Sequence, residues 1–312
     1  MNDKSTDPRI HCDYSKLIKL QSQARAFSLL PNLKSGTALS GRHSSIFRGR
    51  GLNFEELRHY QLGDDIRNLD WKVTMRTGKP HVRSYTEEKD RHFIICVDQR
   101  SSMYFSSVDT MKSVVAAELA ALTAWRILQD SDRVGFVLQS TEKLHWLTAK
   151  RSQGDLLHRL KLLANTNQSL DVMSKDSDAV SFSQFVTLLG RLKLKETTII
   201  ILSDWHGTTP DDITHLKHLQ KHNDVLGVLI SDPFESHLPA LHNDWVVGDG
   251  SLQISINEAK KFDLANKGLS EQQSLKREQL IQLMAAKGLP VIETDTSGAH
   301  IEQFKRAVGG RR

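Results

Sequence analysis

From residue 93 onward, short apolar runs alternate with segments whose apolar residues recur every three or four positions. Phe93-Ile94-Ile95-Cys96-Val97 reads as a buried strand and runs into Asp98-Gln99-Arg100-Ser101-Ser102-Met103. A helix is predicted over residues 109–129, where Val114, Val115, Leu119, Leu122 and Trp125 keep helical spacing. Val134–Leu138 and Lys143–Leu147 then form a hairpin across Gln139–Glu142. Helical stretches at 154–163 and 182–192 lead to a β-branched strand, Thr197–Leu202, ending at Ser203-Asp204. Pro210-Asp211-Asp212 marks a helix start, with proline and acids in the first turn. Val225–Ile230 is another buried strand, and residues 231–256 read as irregular with one short edge hairpin. A long polar helix over 258–287 is capped by Gly288, and residues 290–294 form a last strand before a closing helix.

Strands alternating with helices imply an α/β fold with a mainly parallel sheet covered on both faces. Right-handed crossovers then bring the strand ends bearing Asp98 and Asp204 to the same edge. The first ninety residues differ: Gly36, Gly41, Gly49, Gly51, Gly63 and Gly78 are spaced among arginines, with few long apolar runs. This composition predicts loops and short strands leaning on the larger domain. The expected division is an irregular or β module over 1–88 and an α/β domain over 89–312.

Composition narrows the function classes. Of 312 residues, 38% are hydrophobic and 25% charged, which excludes global disorder. The chain opens with no basic region followed by an apolar one, and its longest apolar stretches fall short of the ~20 residues that cross a bilayer. A cytoplasmic location is expected. Two cysteines, Cys12 and Cys96, fit a reducing compartment and read as inert. The net charge of +5 resides in residues 1–90, which hold 16 Lys/Arg against 11 Asp/Glu. Because acids are interleaved with the arginines and no aromatic platform accompanies them, nucleic acid is not an expected partner.

The candidate chemistry centres on the two acidic strand ends. Asp98, Ser102 and Asp204 offer carboxylate and hydroxyl oxygens of the kind that hold Mg²⁺. Arg100 stands among them, and two unit charges about 4 Å apart interact by roughly 4 kcal/mol near a protein surface. Either a cation binds despite it, or Arg100 bridges Asp98 and Asp204 as a built-in cation through charge-assisted hydrogen bonds. The second reading is favoured.

Other clusters read as structural. Asp64, Asp65, Arg67 and Asp70 follow Gly63 as a turn and an Asp-capped helical turn, with an Arg67–Asp70 pair and Trp71 anchored in the core. His215, His218 and His222 share a helix face that reads as solvated rather than zinc-binding. His206 lies close to Asp204. No nucleophile elbow, Cys-His pair or phosphate loop is present.

Gly49-Arg50-Gly51-Leu52-Asn53-Phe54-Glu55-Glu56-Leu57-Arg58-His59-Tyr60, followed by Gly63-Asp64-Asp65-Ile66-Arg67-Asn68-Leu69-Asp70-Trp71 and Arg76, resembles the signature of the bacterial MoxR-associated domain-of-unknown-function family fifty-eight. In that family the signature precedes a von Willebrand factor A-like domain, and this chain is similar to the short form without N-terminal membrane helices. The resemblance implies a metal-ion-dependent adhesion site with a first loop Asp-x-Ser-x-Ser, a second-loop threonine and a late aspartate. Asp98 and Ser102 match two first-loop ligands, Ser203-Asp204 stands at the late aspartate, and Arg100 replaces the middle serine. Thr148 and Ser152 lie in the interval where the threonine belongs. Mg²⁺ is the cation such a degenerate site implies.

The resemblance also implies a nonenzymatic adaptor working with a MoxR-type AAA+ ATPase, and with membrane-bound von Willebrand factor A-like proteins, in assembling or activating clients. The interaction site expected for that role is the edge bearing Asp98, Arg100, Ser101, Ser102, Ser203 and Asp204, with Arg58, Arg67 and Arg76 as a second surface. The alternatives are a metal-dependent hydrolase using Asp98, Asp204 and His206, and a basic nucleic-acid-binding module.

Overall fold

The structure is a computed structural model and describes residues 7–25, 27, 29, 44–45, 52–87, 91–238, 245–248, 253–256, 259–285 and 291–309. It divides into two compact units, Met1–Leu33 with His92–Arg312, and Lys34–Arg91. Gly36, Gly41, Gly49, Gly51, Gly288 and Pro290 lie outside the described residues.

The first helix, α1 (Tyr14–Ala24), was not expected and belongs to the larger unit. The sequence division placed it in the N-terminal module. Its Leu17, Leu20 and Ala24 are buried, and Trp125 Nε1 donates to the Leu17 carbonyl at 3.0 Å, so its apolar stripe completes the larger core. Asp13 caps it by accepting from Ser15 N.

The smaller unit holds a three-stranded antiparallel sheet of β1 (Ser44–Ser45), β2 (Leu52–His59) and β3 (His81–Glu87), with β3 in the middle. Between β2 and β3 lies α2 (Trp71–Thr77), closed by Gly78 at φ +70°. Asp70 caps α2 through one oxygen, while its other oxygen accepts from Arg83 Nε and Nη2 at 2.8 and 2.7 Å. This corrects two expectations. Asp70 pairs with Arg83 rather than Arg67, whose side chain is 92% exposed beside Asp65. Trp71 is 62% exposed and Met75 84%, so these residues, four apart on α2, face outward instead of anchoring a core. Arg58 is held by Asp64 at 2.6 Å, and Arg76 is exposed.

The larger unit is α/β. Its strands are β4 (His92–Asp98), β5 (Arg133–Gln139), β6 (Leu144–Lys150), β7 (Thr197–Ser203), β8 (Asp224–Ser231) and, after a separate two-stranded hairpin of β9 (Trp245–Gly248) and β10 (Gln253–Ile256), β11 (Ile292–Asp295). The sheet order is β11-β8-β7-β4-β5-β6, parallel except for β6, which pairs antiparallel with β5. Every residue of β7 is buried, as is all of β4 after His92, which explains why these strands read as continuous apolar runs rather than alternations.

Among the described residues six further α-helices complete the unit: α3 (Lys112–Gln129), α4 (Gln153–Gln168), α5 (Phe182–Arg191), α6 (Pro210–Leu219), α7 (Ala259–Ala285) and α8 (His300–Gly309). One layer holds α1, α3, α4 and α8, and the other holds α5, α6 and α7. Helix α3 is buried without interruption from Lys112 to Trp125. After β4 the chain builds outward through β5 and β6, then returns to the other side of β4 as β7. That reversal puts a crevice at the carboxyl ends of β4 and β7, the place where open α/β sheets gather functional residues.

Candidate functional site

In the parallel register Val97 stands opposite Leu202, so Asp98 and Ser203 leave the sheet side by side. The sequence-predicted group does converge: Asp98, Arg100, Ser203 and Asp204 are each at most 4% exposed. Asp98 is filled with donors. Its Oδ1 accepts from Arg100 N at 3.0 Å and Nε at 3.1 Å, and its Oδ2 accepts from Arg100 Nη2 at 2.9 Å and Ser203 Oγ at 2.8 Å. Arg100 Nη2 also donates to the His206 carbonyl at 3.1 Å, and the guanidinium lies 5.9 Å from the centre of the Phe182 ring.

Asp204 is held differently. Arg100 does not bridge the two aspartates. Lys112, at the first turn of α3 and 1% exposed, places Nζ 2.8 Å from Asp204 Oδ2 and also donates to Glu235. The other Asp204 oxygen accepts from His206 N at 2.9 Å. Burial pushes the Asp204 carboxyl up, but the charges of Lys112, Lys276 and Arg100 outweigh it and hold the group well below the usual carboxylate range. Burial likewise opposes the charge on Lys112, and Asp204 and Glu235 reverse that effect, leaving its ammonium more firmly protonated than an ordinary lysine. Two fixed cations therefore neutralise two buried carboxylates where one arginine was expected.

These residues do not fit a bound Mg²⁺. A hard cation needs free carboxylate and hydroxyl oxygens, and the oxygens of Asp98 and Asp204 are already hydrogen-bonded, three of the four to donors that include a guanidinium or an ammonium. Ser102 Oγ is buried and without a partner, the one expected ligand left with an open oxygen. Neither proposed second-loop residue reaches the site. Because β6 is antiparallel, Lys150 pairs with Val134 at the opening of β5, which puts Thr148 and Ser152 toward the opposite edge, and Ser152 is occupied capping α4. Among the described residues, no group of three or more His, Cys, Asp or Glu is arranged to hold a metal ion.

The backbone after β7 carries strain. Trp205 adopts φ 57°, a left-handed conformation costly for a bulky side chain. It is fixed from three sides: its N donates to Ser203 Oγ at 2.9 Å, its Nε1 donates to the Val228 carbonyl at 3.1 Å, and its ring stands 5.3 Å from Phe182. The turn throws the His206 side chain to the exposed side, while the His206 backbone stays inside to serve Asp204 and Arg100. Ser101 belongs to the rim, donating from N and Oγ to Asp176 at 2.9 and 2.8 Å and tying the loop after β4 to that before α5. These two loops carry exposed apolar side chains, Phe105 and Val108 on one, Val172 and Met173 on the other.

A family model described as "Protein of unknown function DUF58" matches residues 56–258, about two thirds of the chain. Uncharacterized proteins of Mycobacterium bovis and of Mycobacterium tuberculosis are 24% identical to it over 298 residues, covering 94% of this chain and 90% of each relative. Two solved structures are similar at low scores. The conserved hypothetical protein BatB from Bacteroides thetaiotaomicron has a TM-score of 0.38 and 14% identity, covering 62% of this chain and 98% of that one. An aerotolerance-related membrane protein from Bacteroides fragilis has a TM-score of 0.36 and 13% identity, covering 62% and 99%. Among the described residues, no helix is long and apolar enough to cross a membrane.

Proposed function

This chain belongs to the DUF58 family, and from that premise we propose that it is a nonenzymatic, cytoplasmic adaptor that works with a MoxR-type AAA+ ATPase through a von Willebrand factor A-like edge preorganised without metal. The observation that carries the proposal is the pairing of Asp98 with Arg100 and of Asp204 with Lys112 at the carboxyl ends of adjacent strands. An adhesion site of the metal-dependent kind uses a divalent cation to hold its loops and to leave one coordination position for a partner's carboxylate. Here the side chains themselves supply the positive charge, so the loops keep their shape while the open coordination position is gone.

Recognition then passes to the rim. Arg100 is too buried and too fully engaged to contact a partner, which revises its expected role from contact residue to internal brace. Phe105, Val108, Val172 and Met173 expose apolar surface on loops that the Ser101–Asp176 contact joins. Apolar side chains within a polar surround suit a protein interface. ATP chemistry would belong to the partner, and membrane-bound von Willebrand factor A-like proteins are the further partners this reading includes.

The test is binding of the purified chain to a MoxR-type ATPase from the same cell, measured by biolayer interferometry with Mg²⁺ and again with EDTA. Equal affinity in both, lowered about tenfold or more by Met173→Asp as expected for a central interface residue, supports the proposal. Absence of binding, or binding abolished by EDTA in nucleotide-free conditions, contradicts it.

A further inference from the structure

At the opposite end of the sheet, roughly 20 Å down the seven residues of β7 from Asp204, α5 and α6 enclose a cleft of about 550 Å³. Its lining combines an apolar floor, Val186, Leu194 and Leu219, with Arg191 at the end of α5, Lys193 and Lys195 in the loop after it, His215 and His218 on α6, and His222 in the turn beyond α6. Among the described residues that line it, none is acidic; Glu196 and Asp224, the nearest acids along the chain, are not part of the wall. No ion pair with a described residue engages Arg191, Lys193 or Lys195.

The wall is built to hold this shape. Asn223, 4% exposed, donates through Nδ2 to the carbonyls of Leu194 and Leu219 at 2.9 and 3.1 Å and accepts from Thr197 N at 3.2 Å. One buried amide thus pins the loop after α5 to the end of α6. Within that loop Lys193 and Glu196 both adopt φ 50°, the left-handed region. Lys193 follows the C-cap residue of α5, Leu192, at the position that helices most often give to glycine because a side chain there is strained. Basic residues inside a helix's last turn answer the helix dipole, which accounts for Arg191 and His218. It does not account for a lysine that displaces glycine beyond the helix end, nor for Lys195 further on.

We propose that this cleft binds a phosphomonoester with an apolar body. The volume suits a drug-sized ligand. A dianion matches three permanent cations backed by imidazole N–H donors, and Leu194 and Leu219 take the apolar portion. The half-charges at the ends of α5 and α6 oppose an anion, but they are outnumbered by the side-chain cations.

The experiment is calorimetric titration of the full chain with phenyl phosphate at neutral pH and low salt, alongside inorganic phosphate. Saturable binding is expected, tighter for phenyl phosphate than for phosphate. Lys193→Gly is expected to weaken it about fivefold by removing one charge contact, while raising the thermal midpoint because glycine relieves the left-handed strain. Arg191→Gln should weaken it comparably while lowering the midpoint slightly, because it removes a charge that answers the helix dipole. Absence of saturable binding at millimolar ligand overturns the proposal, as does affinity unaffected by Lys193→Gly in a protein that remains folded. Equal affinity for the two ligands overturns the apolar part.

Discussion

Lys112 and Asp204 form an ion pair of 2.8 Å between side chains that are 1% and 2% exposed, joining the first turn of α3 to the end of β7. The pair lies 92 residues apart in sequence, so it closes the crevice between a helix on one layer and the strand returning beside β4. Removing one partner leaves the other charge buried without compensation. Lys112→Met is expected to destabilise the protein by about 3–5 kcal/mol. Combining it with Asp204→Leu should recover much of that loss, because replacing both charges by apolar groups removes the uncompensated carboxylate. Urea unfolding of the two variants and the parent gives the comparison.

The pH dependence follows from the directions of the two shifts. Asp204 is depressed below its ordinary 3.8, so its contribution is present above that value and is lost as pH falls beneath it toward the folded-state value. Lys112 is raised above its ordinary 10.5, so its contribution is fully present below that value and is lost as pH rises beyond it. The stability difference between parent and Lys112→Met should therefore stay level through the neutral range and shrink in acid, where the variant's Asp204 takes up a proton. Unfolding midpoints measured from acid to alkaline pH report this. A difference that vanishes near neutrality would be inconsistent with it.

Gly227 lies under the strained turn. A Cβ at this position would meet Trp205 Cζ2 at 2.8 Å and Leu280 Cδ2 at 2.9 Å. Gly227→Ala must push the indole or α7 away and is expected to cost about 1–3 kcal/mol. Since Trp205 also fixes the backbone that serves Asp204, the substitution should shift near-ultraviolet circular dichroism as well as the unfolding midpoint. A midpoint equal to the parent's would show that the turn is looser than described.

Trp71 provides an optical check on the smaller unit. At 62% exposure it contrasts with Trp125 and Trp205, which are at most 2% exposed. Trp71→Phe should remove a red-shifted, acrylamide-accessible part of the fluorescence and leave the quenching-resistant emission in place. Loss of only blue, protected emission would mean that Trp71 is buried.

The strands of the larger unit were legible because parallel strands buried on both faces spell out continuous apolar runs, and two of those runs end in acids. Asp98, Ser203 and Asp204 followed from that pattern and from right-handed connectivity. Lys112 did not, because one lysine at the start of an apolar helix looks like a solvated first turn; the available signal was that α3 is apolar on all sides, so its first turn is buried too. Helix α1 was missed because Leu17, Leu20 and Ala24 are a thin stripe in a polar stretch, and the layer they complete lies far along the chain. Trp71 misled in the other direction. An aromatic beside a capping aspartate suggests an anchor, but Asp70 is shared with Arg83, and that bond fixes α2 with its apolar pair outward. Of the three histidines read as one helix face, His215 and His218 lie on α6 and His222 in the turn beyond it, while the cleft they line depends on where α5 ends.

In the proposed function Arg100 and Lys112 stand in for a divalent cation. Calorimetric titration with Mn²⁺, comparing the parent with the double variant Arg100→Ser and Lys112→Met, decides whether they do. No saturable binding is expected for the parent, and measurable binding for the double variant, in which Asp98 and Asp204 lose their guanidinium and ammonium donors and keep only neutral ones, with Ser102 Oγ without a partner. Saturable Mn²⁺ binding by the unmodified protein, lost on Asp98→Ala, would contradict that role.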